Sequence, residues 1–226
     1  MKFFAENLQV FKKVFLPLFV LVVLSSNIDQ YLNLHIESAL RDPSGAQQQV
    51  YLWGFLSIIS SIVFPVLLMT VALYALNTLV GFADGLESFL GKNLNQVAIE
   101  TLRSWGKTLL WSLLFILPGV WKYIEYSLVP LVVTTSKRYD EGKEDALQKS
   151  SQIVRRNFGK VFGVFVLFHL FLPVLLSGLF DSYRLVWKTP LASLVLSALD
   201  TYLLLVSTHI LFNIFRSEVR KHDAHV

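Results

Sequence analysis

VYLWGFLSIISSIVFPVLLMTVALYALNTLV, residues 50–80, carries no charged side chain, and the uncharged run reaches from Pro43 to Ala83. A helix over the quoted stretch would be about 46 Å long at 1.5 Å per residue. The hydrocarbon core of a bilayer is ~30 Å thick and takes about 20 residues of helix. The stretch is therefore read as a membrane-crossing helix with length to spare, which tilts, projects or kinks. Pro65 is the natural kink, because it lacks the amide hydrogen that a helix interior uses.

The rest of the chain agrees with that reading. Of 226 residues, 54% are hydrophobic and 16% charged, and the mean hydropathy is +0.55. A soluble domain has about a quarter of its residues charged, and a soluble core of this size cannot hide so large an apolar surplus. A soluble enzyme, a nucleic-acid-binding domain and a disordered chain are excluded on these grounds. The chain has no cysteine, which removes disulfides, thiolate catalysis and cysteine-ligated metal sites together.

Working outward from residues 50–80, five further apolar segments suggest themselves, giving spans near 14–27, 50–80, 104–117, 120–136, 160–180 and 190–215. The first, VFLPLFVLVVLS from Val14, follows Lys12 and Lys13 and looks like a signal-peptide core. No Ala-x-Ala site follows it, so it is expected to stay as the first helix. Pro118-Gly119 separates the third and fourth segments as a turn. A tight hairpin is preferred there, with a pair of half-depth helices as the alternative, and Pro130 is expected to bend the second arm. The expectation is an all-α, single transmembrane domain over residues 1–226, an integral membrane six-helix bundle.

Six spans divide the 20 lysines and arginines unevenly. Arg41, Lys122, Arg184 and Lys188 fall on one side and the other sixteen on the opposite side. Cytoplasmic loops carry the lysine and arginine excess, so both termini are placed in the cytoplasm.

The cytoplasmic connections are expected to be amphipathic helices. Leu94, Val97, Ala98, Leu102 and Trp105 share one helical face within Asn93–Trp105. Ala146, Leu147, Ile153, Val154 and Phe158 do so within Lys143–Phe158. Lys149, Arg155 and Arg156 are then free to face anionic lipid, although the same faces could simply pack beneath the bundle. Phe4, Leu8, Phe11 and Phe15 repeat the pattern at the N-terminus. The stretches beginning at Gly91 and Gly142 share a Gly-Lys, a connector, a second Gly-Lys (Gly106, Gly159) and an apolar run ending in proline, a possible duplication. Tyr31–Leu40 reads as a short outer helix stopped at Asp42-Pro43-Ser44-Gly45.

No phosphate loop, metal-binding pair or nucleophile elbow is present, so no enzyme, cofactor or metal is expected. Ionisable groups inside the membrane are the remaining clue, since their burial is expensive. Asp200 and His169 fall near the midplane of adjacent spans, as a proton relay or, preferred, a hydrogen bond fixing helix register. Ser193, Ser197 and Thr201 form a close-packing face beside Asp200. His209 is read as a packed or interfacial histidine. Lys122 and Glu125, three residues apart, suggest a local pair at the outer interface. Trp105, Trp111, Trp121 and Trp187 suggest aromatic belts.

The segment LLFILPGVWKYIEYSLVPLVV from Leu113, followed by EGKEDALQKSSQIVRRNFGKVFGVFVL from Glu141, resembles a group of bacterial six-helix membrane proteins. This group includes the YciC-like inner membrane proteins and the membrane domain attached to some glycerophosphodiester phosphodiesterases. The matching residues are Pro118-Gly119, Tyr123 or Tyr126, Pro130, Gly142 and Ala146-Leu147-x-x-Ser150, within about Gly91 to Pro173. The resemblance implies a bacterial inner membrane location and an accessory or transport-related role, without hydrolysis. The leading expectation is a non-enzymatic scaffold or accessory protein touching anionic membrane lipids, with a possible protein partner and no nucleic acid. The rival is a small-solute transporter or channel, proton-coupled through Asp200 and His169.

Overall fold

The computed structural model describes residues 2–41, 46–79, 85–183 and 188–223, and among them every regular element is helical. The helices are α1 (Lys2–Arg41), α2 (Ala46–Leu79), α3 (Leu86–Leu114), α4 (Ile116–Glu125), α5 (Val129–Thr135), α6 (Lys137–Asp140), α7 (Ala146–Arg156), α8 (Phe158–Phe165), α9 (Leu172–Phe180) and α10 (Pro190–Asp223). The stop at residues 42–45, Arg184, Trp187 and the side chains of Phe4, Leu8 and Phe11 lie outside the described residues.

Among the described residues, five segments are long and apolar enough to cross a membrane: Val14–Arg41, Gln48–Thr78, Ile116–Thr135, Phe158–Phe180 and Pro190–Arg220. The expected third span, 104–117, is not among them. Its residues 104–114 are the end of α3, one helix that starts eighteen residues earlier among polar groups and runs to Leu114. The expected first span and the short outer helix after it are likewise one helix, α1, which passes through Pro17. α2 passes through Pro65 in the same way. Neighbouring groups in apolar surroundings keep a proline-containing helix intact.

α1 and α2 form an antiparallel hairpin. Ser60 Oγ donates to Asp29 Oδ1 at 2.9 Å, and further along the ring of Trp53 stacks on His35 at 4.5 Å. The pairing runs down one helix as it runs up the other.

Burial divides the molecule into two regions. The second half of α2 (Val71–Leu76), α5, the inner face of α7 and the second half of α10 (Leu205–Phe215) join one buried apolar cluster. The first half of α2, α9 and the start of α10 expose leucine, isoleucine, valine and phenylalanine. An apolar exterior of this extent suits a lipid solvent, and the packed cluster an aqueous or interfacial one.

The span after α8 contains a wider turn. Leu172 N–H bonds to the carbonyl of Leu167, five residues back, and Val166–Phe171 are π-helical. Pro173 causes this: it offers no N–H to the carbonyl of His169 and its ring crowds that carbonyl.

The two stretches read as a possible duplication fold differently. Gly91 and Gly106 lie inside the single helix α3. Gly142 is the one described residue with positive φ, +70°, and ends a turn after α6, while a second break at Asn157 separates α7 from α8. Only glycine takes that φ without steric cost.

Candidate functional site

The site begins with a reversal of the chain. α3 ends at Phe115, whose extended backbone (φ −156°, ψ 144°) turns the chain into α4. The turn therefore lies three residues before Pro118-Gly119. Both of those residues are already helical. Pro118 sits in the first turn of α4, where a missing N–H costs nothing. Gly119 lies against α3: a Cβ there would stand 1.9 Å from Ser112 Oγ and 2.8 Å from Ser112 Cα. Glycine is what lets the arms of the α3–α4 hairpin touch.

Pro130 then breaks the second arm, as expected. Its ring excludes a helical bond to the carbonyl of Tyr126. α4 stops at Glu125, Ser127 N–H bonds to Ile124 O at 3.2 Å, and Val129 N–H bonds to Tyr126 O at 3.1 Å. This rearrangement strands the carbonyl of Glu125 and the N–H of Leu128. Ser150 of α7, wholly buried, serves both: its Oγ donates to Glu125 O at 2.7 Å and accepts from Leu128 N–H at 3.2 Å.

The Glu125 side chain is 0% exposed. Its Oε2 accepts from Lys122 Nζ at 2.6 Å, and its Oε1 from Trp121 Nε1 at 2.8 Å and Arg155 Nε at 2.6 Å. A carboxylate is buried at bearable cost only when paired and hydrogen-bonded in this way. The Trp121 ring stacks on Phe158 at 4.3 Å, and Lys122 Nζ lies 5.7 Å from the rings of both Trp111 and Tyr126.

A second set of charges fixes the start of α7. Asp145 Oδ1 caps the helix, accepting from Leu147 and Gln148 N–H at 2.9 and 3.0 Å, and its Oδ2 takes Arg103 Nη2 at 2.7 Å. Burial pushes the Asp145 carboxyl up, but the Gln148 N–H and the Arg103 guanidinium outweigh it and hold it below its ordinary value. Glu144 behaves alike: burial raises it, while Lys149 at 2.8 Å and the Ser136 hydroxyl bring it below the ordinary range.

These distances correct part of the sequence reading. Lys122 and Glu125 do pair, but not at an interface opposite to Arg155, because Lys122 and Arg155 bind one carboxylate. The charge count had placed them on opposite sides. Lys149 is not free to meet lipid: its side chain is 16% exposed and tied to Glu144. Arg155 is 60% exposed and joined to Glu125 through Nε, and Arg156 is exposed. Leu102, on the shared apolar face of its helix, is exposed, while Thr101 and Ser104 are buried. His209, Ser193, Ser197 and Thr201 are buried. His169 lies in the π-helical turn with its ring stacked on Phe165 at 5.4 Å. His169 and Asp200 line one open cleft of about 450 Å³, with Ser177 and Ser207.

Sequence reasoning missed the bond of Trp121 to Glu125, the bridging role of Ser150, Asp29 and the partnership of Arg155 with Glu125. Trp121 and Glu125 are four apart, so their shared helical face was readable. Arg155 is 30 residues from Glu125, and no local spacing announces it.

Two hollows lie beside the ion cluster. A polar cleft of about 510 Å³ lies between α3 and α7, with Lys107, Gln148, Gln152 and Arg155 on its walls. A largely apolar crevice of about 300 Å³ runs among α2, α3, α5, α8 and α10. Tyr126 lines both. Among the described residues, no group of three or more His, Asp or Glu side chains gathers as a metal site. Comparison of the chain with protein families, with curated proteins and with solved structures finds no match.

Proposed function

We propose that the chain is a non-enzymatic, multi-pass protein of a bacterial inner membrane, an accessory or scaffold that works at the cytoplasmic lipid surface. The observation that carries this is the α3–α4 hairpin. Its tip, Leu113–Leu117, is nearly bare, with Leu117 82% exposed, while the base just below holds Lys122, Glu125, Arg155 and Trp121. An apolar tip on a charged, tryptophan-bearing base is the profile of an element dipped into one leaflet.

Depth supports half-crossing. Trp121 stacks on Phe158, the first residue of the α8–α9 span. From Trp121 to Phe115 is ~9 Å of helix, about a third of the hydrocarbon thickness. In this reading Ile116–Thr135 does not cross. α1, α2, α8–α9 and α10 cross, and the hairpin enters and returns on the cytoplasmic side. The number of crossings stays even, so both termini remain cytoplasmic. Lys122 joins the inner cations, which leaves Arg41, Arg184 and Lys188 outside, a sharper bias than before. The exposed side of α7, with Gln152 and Arg156, then faces the headgroups as an amphipathic connector. The YciC-like resemblance belongs to this proposal, since its matching residues (Pro118-Gly119, Pro130, Gly142, Ser150) build the hairpin and its α7 brace.

The test uses the absence of cysteine. Phe115→Cys, labelled with a small fluorophore in reconstituted vesicles, should be quenched by lipids carrying a quencher on the acyl chain. It should resist water-soluble quenchers on both sides. Gln152→Cys should respond to the water-soluble quencher from the cytoplasmic side alone. Free aqueous quenching of Phe115→Cys would sink the reading.

A second reading, solute transport, has one observation in its favour: Asp200 and His169 line one cleft next to a π-helical turn. Labelling of Leu203→Cys in that cleft by a membrane-impermeant thiol reagent would support it. A dry cleft would return the pair to a packing role.

A further inference from the structure

The polar cleft and the apolar crevice have features that neither the ion cluster nor the bundle's packing uses. Lys107 reaches the cleft from α3 without an ion-pair partner among the described residues. Arg155 spends only its Nε on Glu125, so its terminal nitrogens are left for the same cleft. The one carboxylate on the cleft wall, Asp145, is already matched by Arg103. Behind Tyr126, half of the residues walling the crevice are leucine, valine, phenylalanine and proline, joined by Met69, Trp105, Tyr123 and His169. Two of the three buried side-chain polar atoms that lack a partner among the described residues, Thr101 Oγ1 and Ser127 Oγ, belong to residues lining this crevice. Thr101 is 8% exposed, and nothing in the packing accounts for a stranded hydroxyl there. The crevice reaches the lower end of the ~300–1,000 Å³ range of ligand pockets.

Resting on the lipid-surface reading above, we propose that the two hollows form one binding site for an anionic phospholipid. The phosphate sits on Lys107 and the free end of Arg155. The glycerol-ester region passes Tyr126, and opening of the crevice around the chain brings the hydroxyls of Thr101 and Ser127, closed off in the lipid-free protein, to ester oxygens. One acyl chain fills the crevice. Phosphate is the chemistry that two cations with spare donors recognise. The apolar crevice selects a phosphate joined to a chain over a free one.

The experiment is native mass spectrometry of the full chain in a mild neutral detergent. It is titrated separately with dioleoyl phosphatidylglycerol, dioleoyl phosphatidylcholine and inorganic phosphate. The expected result is a first phosphatidylglycerol retained at lower concentration than later ones, with neither of the other probes matching it. Lys107→Gln, an exposed change that leaves Glu125 untouched, should weaken that first step by about fivefold. Thr101→Val removes the stranded hydroxyl at constant shape. It should raise the melting temperature of the lipid-free protein yet lower retention of the first lipid, whereas a hydroxyl with no ligand would change the first and not the second. Equal retention of both lipids, or an unchanged first step in Lys107→Gln, overturns the site. Occupancy by inorganic phosphate at the same concentration overturns the lipid as its source. If the first step is lost while Phe115→Cys still reports hydrocarbon, this site alone is wrong. If Phe115→Cys is in water, the reading beneath it is wrong.

Discussion

Ser150 is the smallest part with the widest reach. Its hydroxyl closes both backbone groups that the Pro130 break leaves open, and it ties α7 to the α4–α5 junction. Ser150→Ala leaves a buried N–H and a buried carbonyl unpaired. We expect a loss of about 1–3 kcal/mol of stability, read from chemical denaturation in detergent. Glu125 is a larger case. Three donors from two helices converge on it, and removing one partner of a buried ion cluster strands the others. Glu125→Gln should cost about 3 kcal/mol. It should also free Arg155, seen as faster proteolysis at the end of α7. An unchanged denaturation midpoint in Glu125→Gln would show that the cluster is dispensable. In the sequence, Lys122–Glu125 was visible as an i, i+3 pair and Trp121–Glu125 could have been. Ser150 and Arg155 were not, because their partners lie 25 and 30 residues away.

At the scale of the element, the α3–α4 hairpin depends on one missing side chain. Gly119→Ala sets a methyl group against Ser112 backbone as well as its hydroxyl, so rotation of the serine cannot relieve it. The arms must separate, at a cost of about 1–3 kcal/mol. A pair of spin labels at Leu110 and Val120 should report a longer distance, and an unaltered distance would refute the close packing assigned to Gly119. α7 depends instead on a cap. The folded Asp145 carboxyl titrates below its ordinary value of 3.8. Its contribution is therefore present above that value and fades as pH falls through the lower folded one. The stability gap between wild type and Asp145→Asn should be full at neutral pH and should narrow as pH drops below 3.8. A gap that is constant with pH would assign the stabilisation to something other than the ionised carboxylate.

At the scale of the molecule, one measurement separates six crossings from four crossings and a dipped hairpin. Lys122→Cys and Gln152→Cys should react with an impermeant thiol reagent from the same side, and Gln48→Cys from the other; reaction of Lys122→Cys with Gln48→Cys would restore the original count. The sequence alone settled what local composition settles. Its apolar surplus and uncharged runs dictated helices long and apolar enough to cross a membrane, and its proline and glycine positions marked where the helices would yield. Local pattern set residues 104–117 apart as a segment of their own, whereas residues 104–114 are the end of α3, because an apolar run does not show where its helix begins. Only the tertiary structure decided that Lys122 and Arg155 stand together, that Lys149 is taken by Glu144, and that a cleft and a crevice share Tyr126 as a wall. The physical reason is distance along the chain. Periodicity reports which way a side chain points on its own helix, while ion clusters and cavities are made by helices far apart in sequence, whose approach is set by packing as a whole.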